Sequence, residues 1–255
     1  MTDITEAQIG AMLAIGETPP ASIVPGVLIQ TALADEYTTV DGPIGPLHVA
    51  FTPLGVSAVV PTEDESEFLK VHARTVGRPA YQNDMIPTRL AGFLTRALDT
   101  GKLGKLPLDL RQLTDFQRAV LEVTAHIPPG EVRPYGWVAK EMGNDGAVRA
   151  VGSALGRNPV PIVIPCHRVV KSDGAMGNYA FGPKMKRDLL VREGLESEML
   201  EPGSLRYTGS DTTKVFCYPT CRNARRIKSA HRIEFRSPRG AIAAGYRACR
   251  ICRPA

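Results

Sequence analysis

Apolar and polar positions along this chain change period several times, and each change marks an element. Leu47, Val49 and Phe51 alternate with His48, Ala50 and Thr52, the period of a half-buried strand. Gly42-Pro43-Ile44-Gly45-Pro46 reads as a turn before it. Pro53-Leu54-Gly55 turns the chain again, and Val56 to Val60 supplies the second strand of a hairpin. The period then lengthens to that of a helix over Glu63 to Val76 and Pro87 to Leu98, and Leu106 to Leu110 alternates once more. Strand, strand, helix, helix, strand predicts a small α/β unit. Ahead of it, Ile4 to Ile15 fits an amphipathic helix that stops at Pro19-Pro20.

Beyond residue 113 the helical period dominates. Thr114-Asp115-Phe116-Gln117 has the form of a capping box, with Phe116, Val120 and Val123 at helical spacing, and Ile127-Pro128-Pro129-Gly130 ends that helix. Tyr135 to Met142 predicts a short helix stopped by Gly143. Asp145 then caps a second helix reaching about Leu155, the outline of a helix-turn-helix. That second helix is thin: Ala147, Ala150, Gly152, Ser153 and Ala154 are small, and Arg149 is its one charged residue after the cap. Small side chains let a helix approach another surface closely, and tight packing in a core reads the same composition equally well. Lys184 to Glu193 predicts a closing helix.

The chemistry concentrates in Ile162-Val163-Ile164-Pro165-Cys166-His167-Arg168-Val169-Val170. Apolar residues on both sides predict a buried site at the end of a strand. An isolated Cys reads as a small core hydrophobe. Here an imidazole and a guanidinium adjoin it, and such neighbours lower a thiol's pKa toward the reactive thiolate. Neighbours on a strand point to opposite faces, so pairing Cys166 with His167 requires a bend or a bridging water.

Composition narrows the class. The chain has 255 residues and 43% hydrophobic content, enough for one or two cores. No run approaches the ~20 apolar residues of a membrane span, and Met1 to Glu6 does not read as a signal peptide, so a cytoplasmic protein is expected. Charge is uneven: residues 205–255 carry twelve Lys and Arg against two Asp and Glu, while the remainder carries nineteen against twenty-four. A compact basic module suits a polyanion such as DNA, and a solvated basic tail is the plainer alternative. Four of the five cysteines lie there, as Cys217-x3-Cys221 and Cys249-x2-Cys252, separated by twenty-seven residues. In a cytoplasmic chain these predict one tetrahedral Zn2+ site.

Taken together, Pro165-Cys166-His167-Arg168-Val169, Ile127-Pro128-Pro129-Gly130-Glu131-Val132, Tyr135-Gly136, Arg149-Ala150-Val151-Gly152, Asn158-Pro159 and Arg192-Glu193-Gly194 resemble the O6-alkylguanine-DNA alkyltransferases, from about Phe116 to Gly194. The resemblance implies a ribonuclease-H-like α/β domain, then a mainly α, winged-helix-like domain carrying the helix-turn-helix. It implies Cys166 as alkyl acceptor, His167 as its base through a water, Glu193 orienting His167, Asn158 supporting the thiolate, and Tyr135 donating a proton to the leaving O6. It places Arg149 in the gap left by a flipped base, with Ala147, Ala150 and Gly152 on the helix entering the minor groove, and Tyr179 beside that base. Phe181 stands where many members have Gly, and an aromatic there is expected to narrow the alkyl pocket. Pro134 departs from the Ser or Thr common before the Tyr.

The tail, from Thr213-Lys214-Val215-Phe216-Cys217 through Ala244-Gly245-Tyr246-Arg247-Ala248-Cys249, resembles the Ada metal-binding domain. That implies a small α+β zinc module whose first ligand, Cys217, also accepts methyl from DNA phosphotriesters, with Arg222, Arg225, Arg226 and Arg247 set against the phosphate backbone. The expected organisation is an N-terminal extension (1–34), an α/β scaffold (35–112), the alkyltransferase domain (113–200) and the zinc module (205–255). The expected partner is double-stranded DNA with alkylated guanine or thymine, with no membrane and no obligate protein partner. Rival readings are an alkylation-sensing DNA-binding protein, in which cysteine methylation is the signal, and a cysteine hydrolase built on Cys166 and His167.

Overall fold

The computed structural model describes residues 23–201 and 207–254. The helix expected over Ile4 to Ile15 lies outside them. The elements are, in order, α1 (Ile23–Gln30), β1 (Asp35–Gly42), β2 (Gly45–Thr52), β3 (Gly55–Val60), α2 (Glu65–Thr75), β4 (Ala80–Gln82), α3 (Thr88–Thr100), α4 (Asp115–Ala125), β5 (Arg133–Pro134), α5 (Tyr135–Glu141), α6 (Val148–Leu155), β6 (Val169–Val170) and α7 (Gly182–Arg192). The tail adds β7 (Tyr207–Ser210), β8 (Val215–Cys217), α8 (Arg222–Arg225), β9 (Arg232–Phe235), α9 (Pro238–Ala243) and β10 (Arg247–Ala248).

The first sheet has the order β3-β2-β1-β4, antiparallel except for the parallel β1–β4 pair. Its pleat separates two cores. Leu47, Val49 and Phe51 face α3 through Leu90 and Leu94, whereas Tyr37, Ala50 and Val60 face α2 through Phe68. β2 is therefore buried on both faces from Leu47 on, where alternation predicted one wet face. His48 is satisfied inside, stacked 5.0 Å from Phe68 and bonded through Nδ1 to the Thr62 carbonyl at 2.9 Å.

The predicted strand at Leu106 to Leu110 is replaced by a single bridge between Leu108 and Val56. Pro107 has no N–H to give a ladder. Asp109 instead accepts from Thr52 at 2.9 Å and Arg78 at 3.1 Å. Arg78 also bonds the buried Asp35 at 2.7 Å, which accepts from Ser57 and His72. Burial alone would raise the Asp35 carboxyl; these hydrogen bonds outweigh it and bring it below its usual range. Two strands unforeseen from the sequence, β1 and β4, complete the sheet.

The capping box forms as predicted: Thr114 Oγ1 accepts from Gln117 N at 3.3 Å, and Gln117 Oε1 accepts from Thr114 N at 2.9 Å. α5 and α6 are the predicted helix pair, joined by a turn with Gly143 at φ 72° and a 3-10 turn over Asp145–Ala147. Asp145 stands inside that turn rather than capping the helix, with Asn144 ahead of it. The tail forms a second sheet, β10-β8-β7-β9. Its Tyr207, Phe216 and Tyr218 belong to the same apolar cluster as Val120, Leu121 and Trp137. Among the described residues, no helix is long and apolar enough to cross a membrane.

Candidate functional site

Cys166 does not end a strand. Residues 166–168 form one 3-10 turn, and the strand follows it as β6, parallel to β5. The bend begins at Ile162, whose φ of 73° is rare for a β-branched residue. Asn158 imposes it: Oδ1 accepts from Val160 N at 3.1 Å, while Nδ2 donates to the Ile164 carbonyl at 3.0 Å and to Cys166 Sγ at 3.3 Å. One amide thus braces the turn and touches the sulfur. The turn replaces the strand expected here, and Cys166 and His167 are both buried within it.

His167 is 1% exposed, and its Nε2 lies 3.0 Å from Glu193 Oε1. Glu193 caps the C-terminus of α7 and accepts from Arg168 through Nε at 3.0 Å and Nη2 at 2.6 Å. Gly130 N donates to its Oε2 at 3.0 Å. Burial pushes the Glu193 carboxyl up, but the bonds from His167 and Arg168 prevail and hold it at about 2. An ionised Glu193 accepts only, so the imidazole proton sits on Nε2. Nδ1 is then the basic nitrogen, and it is buried with no hydrogen-bond partner among the described residues. Burial also lowers the His167 pKa, keeping the ring neutral and able to take a proton.

Cys166 is 8% exposed, and burial raises its thiol against the opposing effects of Asn158 and Lys186. The resting group is a thiol that must lose its proton to react. Lys186, fully buried, donates to the carbonyls of Val169 (2.6 Å) and Met176, and desolvation brings it down to about 8. Lys186 was not singled out from the sequence, and Arg168 was read only as a cation adjoining the thiol, whereas it is buried and paired with Glu193. Lys186 was detectable: it shares a helical face with Leu189 and Leu190, where a charge is out of place.

Tyr135 begins α5 and is half-buried; a Cβ at Gly177 would lie 3.3 Å from its hydroxyl and one at Gly152 3.8 Å from its ring. Tyr179 carries a buried hydroxyl without a hydrogen-bond partner among the described residues, and burial pushes its pKa well above 10. Phe181 meets the Tyr179 ring edge-on at 5.9 Å and packs against the Tyr37–Phe68 cluster. Arg149 and Ala150 are exposed on α6, and Ala147 and Gly152 are half-exposed beside them, so the thin face looks outward.

In the tail, the sulfurs of Cys217, Cys221, Cys249 and Cys252 all lie within 4.8 Å of one another and are buried. Sulfurs ~2.3 Å from a tetrahedral zinc stand about 3.8 Å apart, so the four fit that ion. Asn223 Nδ2 lies 3.6 Å from Cys249 Sγ, a supporting contact for a thiolate. Cys217 lines a cleft of about 550 Å3 with Arg226, Lys228, Arg247 and Arg250. Arg225, read from the sequence as a phosphate contact, instead bonds the carbonyls of Thr220 (2.9 Å) and Gly130.

Comparison with known proteins matches two segments of the chain. Residues 115–195 match the DNA-binding domain of 6-O-methylguanine DNA methyltransferase, and residues 204–255 match the metal-binding domain of Ada. The chain is 36% identical over 168 residues to the regulatory protein Ada of Salmonella typhimurium, covering 46% of that protein and 64% of this chain. The crystal structure of the Mycobacterium tuberculosis O6-methylguanine methyltransferase superposes with a TM-score of 0.51 at 34% identity, over 62% of this chain and 92% of that one. A structure of the mycobacterial protein in complex with DNA gives the same TM-score at 35% identity, with the same coverage. A methylated-DNA–protein-cysteine methyltransferase of Mycobacterium tuberculosis is 38% identical over 158 residues, which span 62% of this chain and 91% of that protein. On that identity and coverage, the chain belongs to the methylated-DNA–protein-cysteine methyltransferase family.

Proposed function

We propose that the protein repairs double-stranded DNA by irreversible transfer of an alkyl group from O6-alkylguanine, with O4-alkylthymine as a further substrate, to Cys166. The observation that carries this is the placement of Cys166 Sγ against Asn158 Nδ2, with the next residue in the chain a neutral imidazole whose Nε2 is held by Glu193. His167 Nδ1 takes the thiol proton through a water. The sulfur then attacks the alkyl carbon in line; the S–C bond forms as the C–O bond breaks, and the electron pair goes to the purine. Tyr135 gives its proton to the leaving oxygen. Asn158 steadies the thiolate, and the buried Lys186 cation favours it. The thioether is stable, so each molecule reacts once.

The exposed face of α6 enters the minor groove, where Ala147, Ala150 and Gly152 permit close approach. Arg149 fills the space of the extruded base, and Tyr179 lies beside that base in the pocket. On this reading residues 35–112 are a ribonuclease-H-like scaffold behind an N-terminal extension (1–34), residues 113–200 are a winged-helix-like alkyltransferase domain, and residues 205–255 are the zinc module, in a cytoplasmic protein. Zinc held by Cys217, Cys221, Cys249 and Cys252 keeps all four sulfurs as thiolates. Cys217, which lines the basic cleft, is the acceptor for methyl from phosphotriesters.

Intact mass with peptide mapping tests both acceptors. With an O6-methylguanine duplex, one gain of about 14 Da at Cys166, absent in Cys166→Ala, is expected for a single nucleophilic transfer. Absence of that gain in zinc-loaded wild type that still binds the duplex overturns the reading. With methylphosphotriester DNA, a gain at Cys217 in Cys166→Ala is expected, and its absence leaves the tail a structural zinc site.

A further inference from the structure

The four-cysteine module does not hang from the alkyltransferase region on a linker. It is docked through a buried polar seam. Arg133, 2% exposed, lies 5.6 Å over the Trp137 ring and 5.3 Å over the Tyr218 ring of the tail, and pairs with Glu131. Glu131 Oε1 accepts from Arg222 N at 3.0 Å, and Thr220 Oγ1 accepts from Val132 N at 3.1 Å. Thr220 and Arg222 flank the ligand Cys221. Four residues on, Arg225 donates its guanidinium to the Gly130 carbonyl, and its own N–H bonds the Cys221 carbonyl at 3.1 Å.

Gly130 is where this seam meets the reacting groups. It follows two prolines and sits at φ 69°, so it is the pliant point of an otherwise stiff turn. Its N–H fixes Glu193 Oε2 at 3.0 Å, leaving Oε1 for His167 Nε2. A carboxylate's terminal torsion is broad and roughly two-fold. Arg168 anchors the carboxylate from one side, Nε at 3.0 Å to both oxygens and Nη2 at 2.6 Å to Oε1. The Gly130 amide adds a separate anchor on Oε2 that fixes the plane of the carboxylate, and Arg225 holds the next peptide unit through the Gly130 carbonyl, on the far side of that residue's Cα.

We propose that Arg225 is a positioning residue for alkyl transfer, so that metal loading of the four-cysteine site supports the reactivity of Cys166 through Arg225, Gly130, Glu193 and His167. This rests on the proposed roles of Cys166, His167 and Glu193. The tail would then serve the alkyl-transfer site directly, in addition to any contact of its own with DNA. Arg225 is partly open to solvent, so the contact can be removed without opening a cavity.

The test compares zinc-loaded wild type, Arg225→Ala and Arg225→Lys in single-turnover methyl transfer from an O6-methylguanine duplex across pH. Zinc content, duplex affinity and hydrogen exchange at the Gly130 amide are read alongside. Arg225→Ala is expected to keep its zinc and its affinity, to lose about tenfold in rate, a fraction of the ~10^2–10^4 a positioned base supplies, and to move the half-maximal rate to higher pH. Its Gly130 amide should exchange faster, and Arg225→Lys should recover part of each change. Should Arg225→Ala not fold, zinc removal from wild type must itself speed Gly130 exchange. Wild-type rate, pH profile and Gly130 protection in Arg225→Ala overturn the proposal, as does unchanged Gly130 exchange after zinc removal. Methyl gained by Cys166→Ala from the same duplex would instead refute the underlying acceptor assignment.

Discussion

Replacing Glu193 with Gln changes almost no volume and removes one charge, and the structure sets what that costs. The carboxylate accepts from His167 Nε2, from Arg168 Nε and Nη2, and from Gly130 N. Gln offers one acceptor oxygen and turns two N–H groups on a site that is all donors. Arg168, 1% exposed, keeps its charge and loses its counter-ion. Breaking a buried pair by removing one partner costs about 3–5 kcal/mol. A second route agrees: a carboxyl held at about 2 instead of 4.5 is worth about 3 kcal/mol at neutral pH, at ~1.36 kcal/mol per tenfold. For a chain of this size that lowers Tm by about 6–12 °C. The pH dependence has a definite sign. Glu193 is depressed when folded, so its contribution is full above pH 4.5 and is lost as pH falls toward 2. The gap between wild type and Glu193→Gln should therefore be widest at neutral pH and close on acidification. Denaturant melts from pH 7 down to about pH 2 cover the interval in which the gap closes. Methyl transfer by Glu193→Gln should fall by about 10^2 or more, since the imidazole loses the partner that places its proton. Stability within about 1 kcal/mol of wild type at pH 7, or a gap that does not narrow in acid, would refute the assignment of an ionised, loaded Glu193.

Asn158→Ala removes both the contact to Sγ and the brace on the turn at Ile162; leaving buried partners unsatisfied should cost about 1–3 kcal/mol and slow transfer, read by thermal melting and quench-flow. Lys186→Met should alter the slope of stability with pH. The folded pKa of about 8 lies below the usual 10.5, so wild type gains stability as pH rises through that interval, and the variant should lose that slope in paired melts. Arg149→Ala, at an exposed position on α6, should leave Tm unchanged within about 0.5 kcal/mol while weakening transfer from duplex DNA; an equal loss with free O6-methylguanine base would contradict a base-flipping role. Removing zinc should unfold the small tail sheet, seen as new amide exchange in β7 and β8, because so short a segment is held together by its metal.

The sequence made some of this legible and hid the rest for identifiable reasons. The capping box at Thr114 and the helix pair at Tyr135 to Leu155 were readable because their signals lie within a few residues. β1 was missed because Asp35-Glu36-Tyr37-Thr38-Thr39-Val40-Asp41-Gly42 has a polar composition, and only Asp35 and Tyr37 of it are buried. β4 is three residues long and owes its existence to pairing with β1. The strand expected into Cys166 followed from a run of β-branched residues, and that propensity was overridden by one Asn side chain bracketing residues 160–166.

The site divides the same way. Cys166, His167 and the four tail cysteines announce themselves by type and spacing. Their working arrangement depends on partners far along the chain: Glu193 is 26 residues from His167, Gly130 is 63 from Glu193, and Arg225 is 95 from Gly130. A periodicity window of about 11–18 residues cannot contain any of these pairs. Charge counting fails for a related reason. It scored Arg225 as one more cation on a basic tail, whereas the fold spends that guanidinium on a backbone carbonyl beside the reacting groups. A basic segment joined to a DNA-repair chain is thus not adequately described by its net charge, since which cations remain for phosphate is settled only once the carbonyls of the neighbouring module have taken theirs.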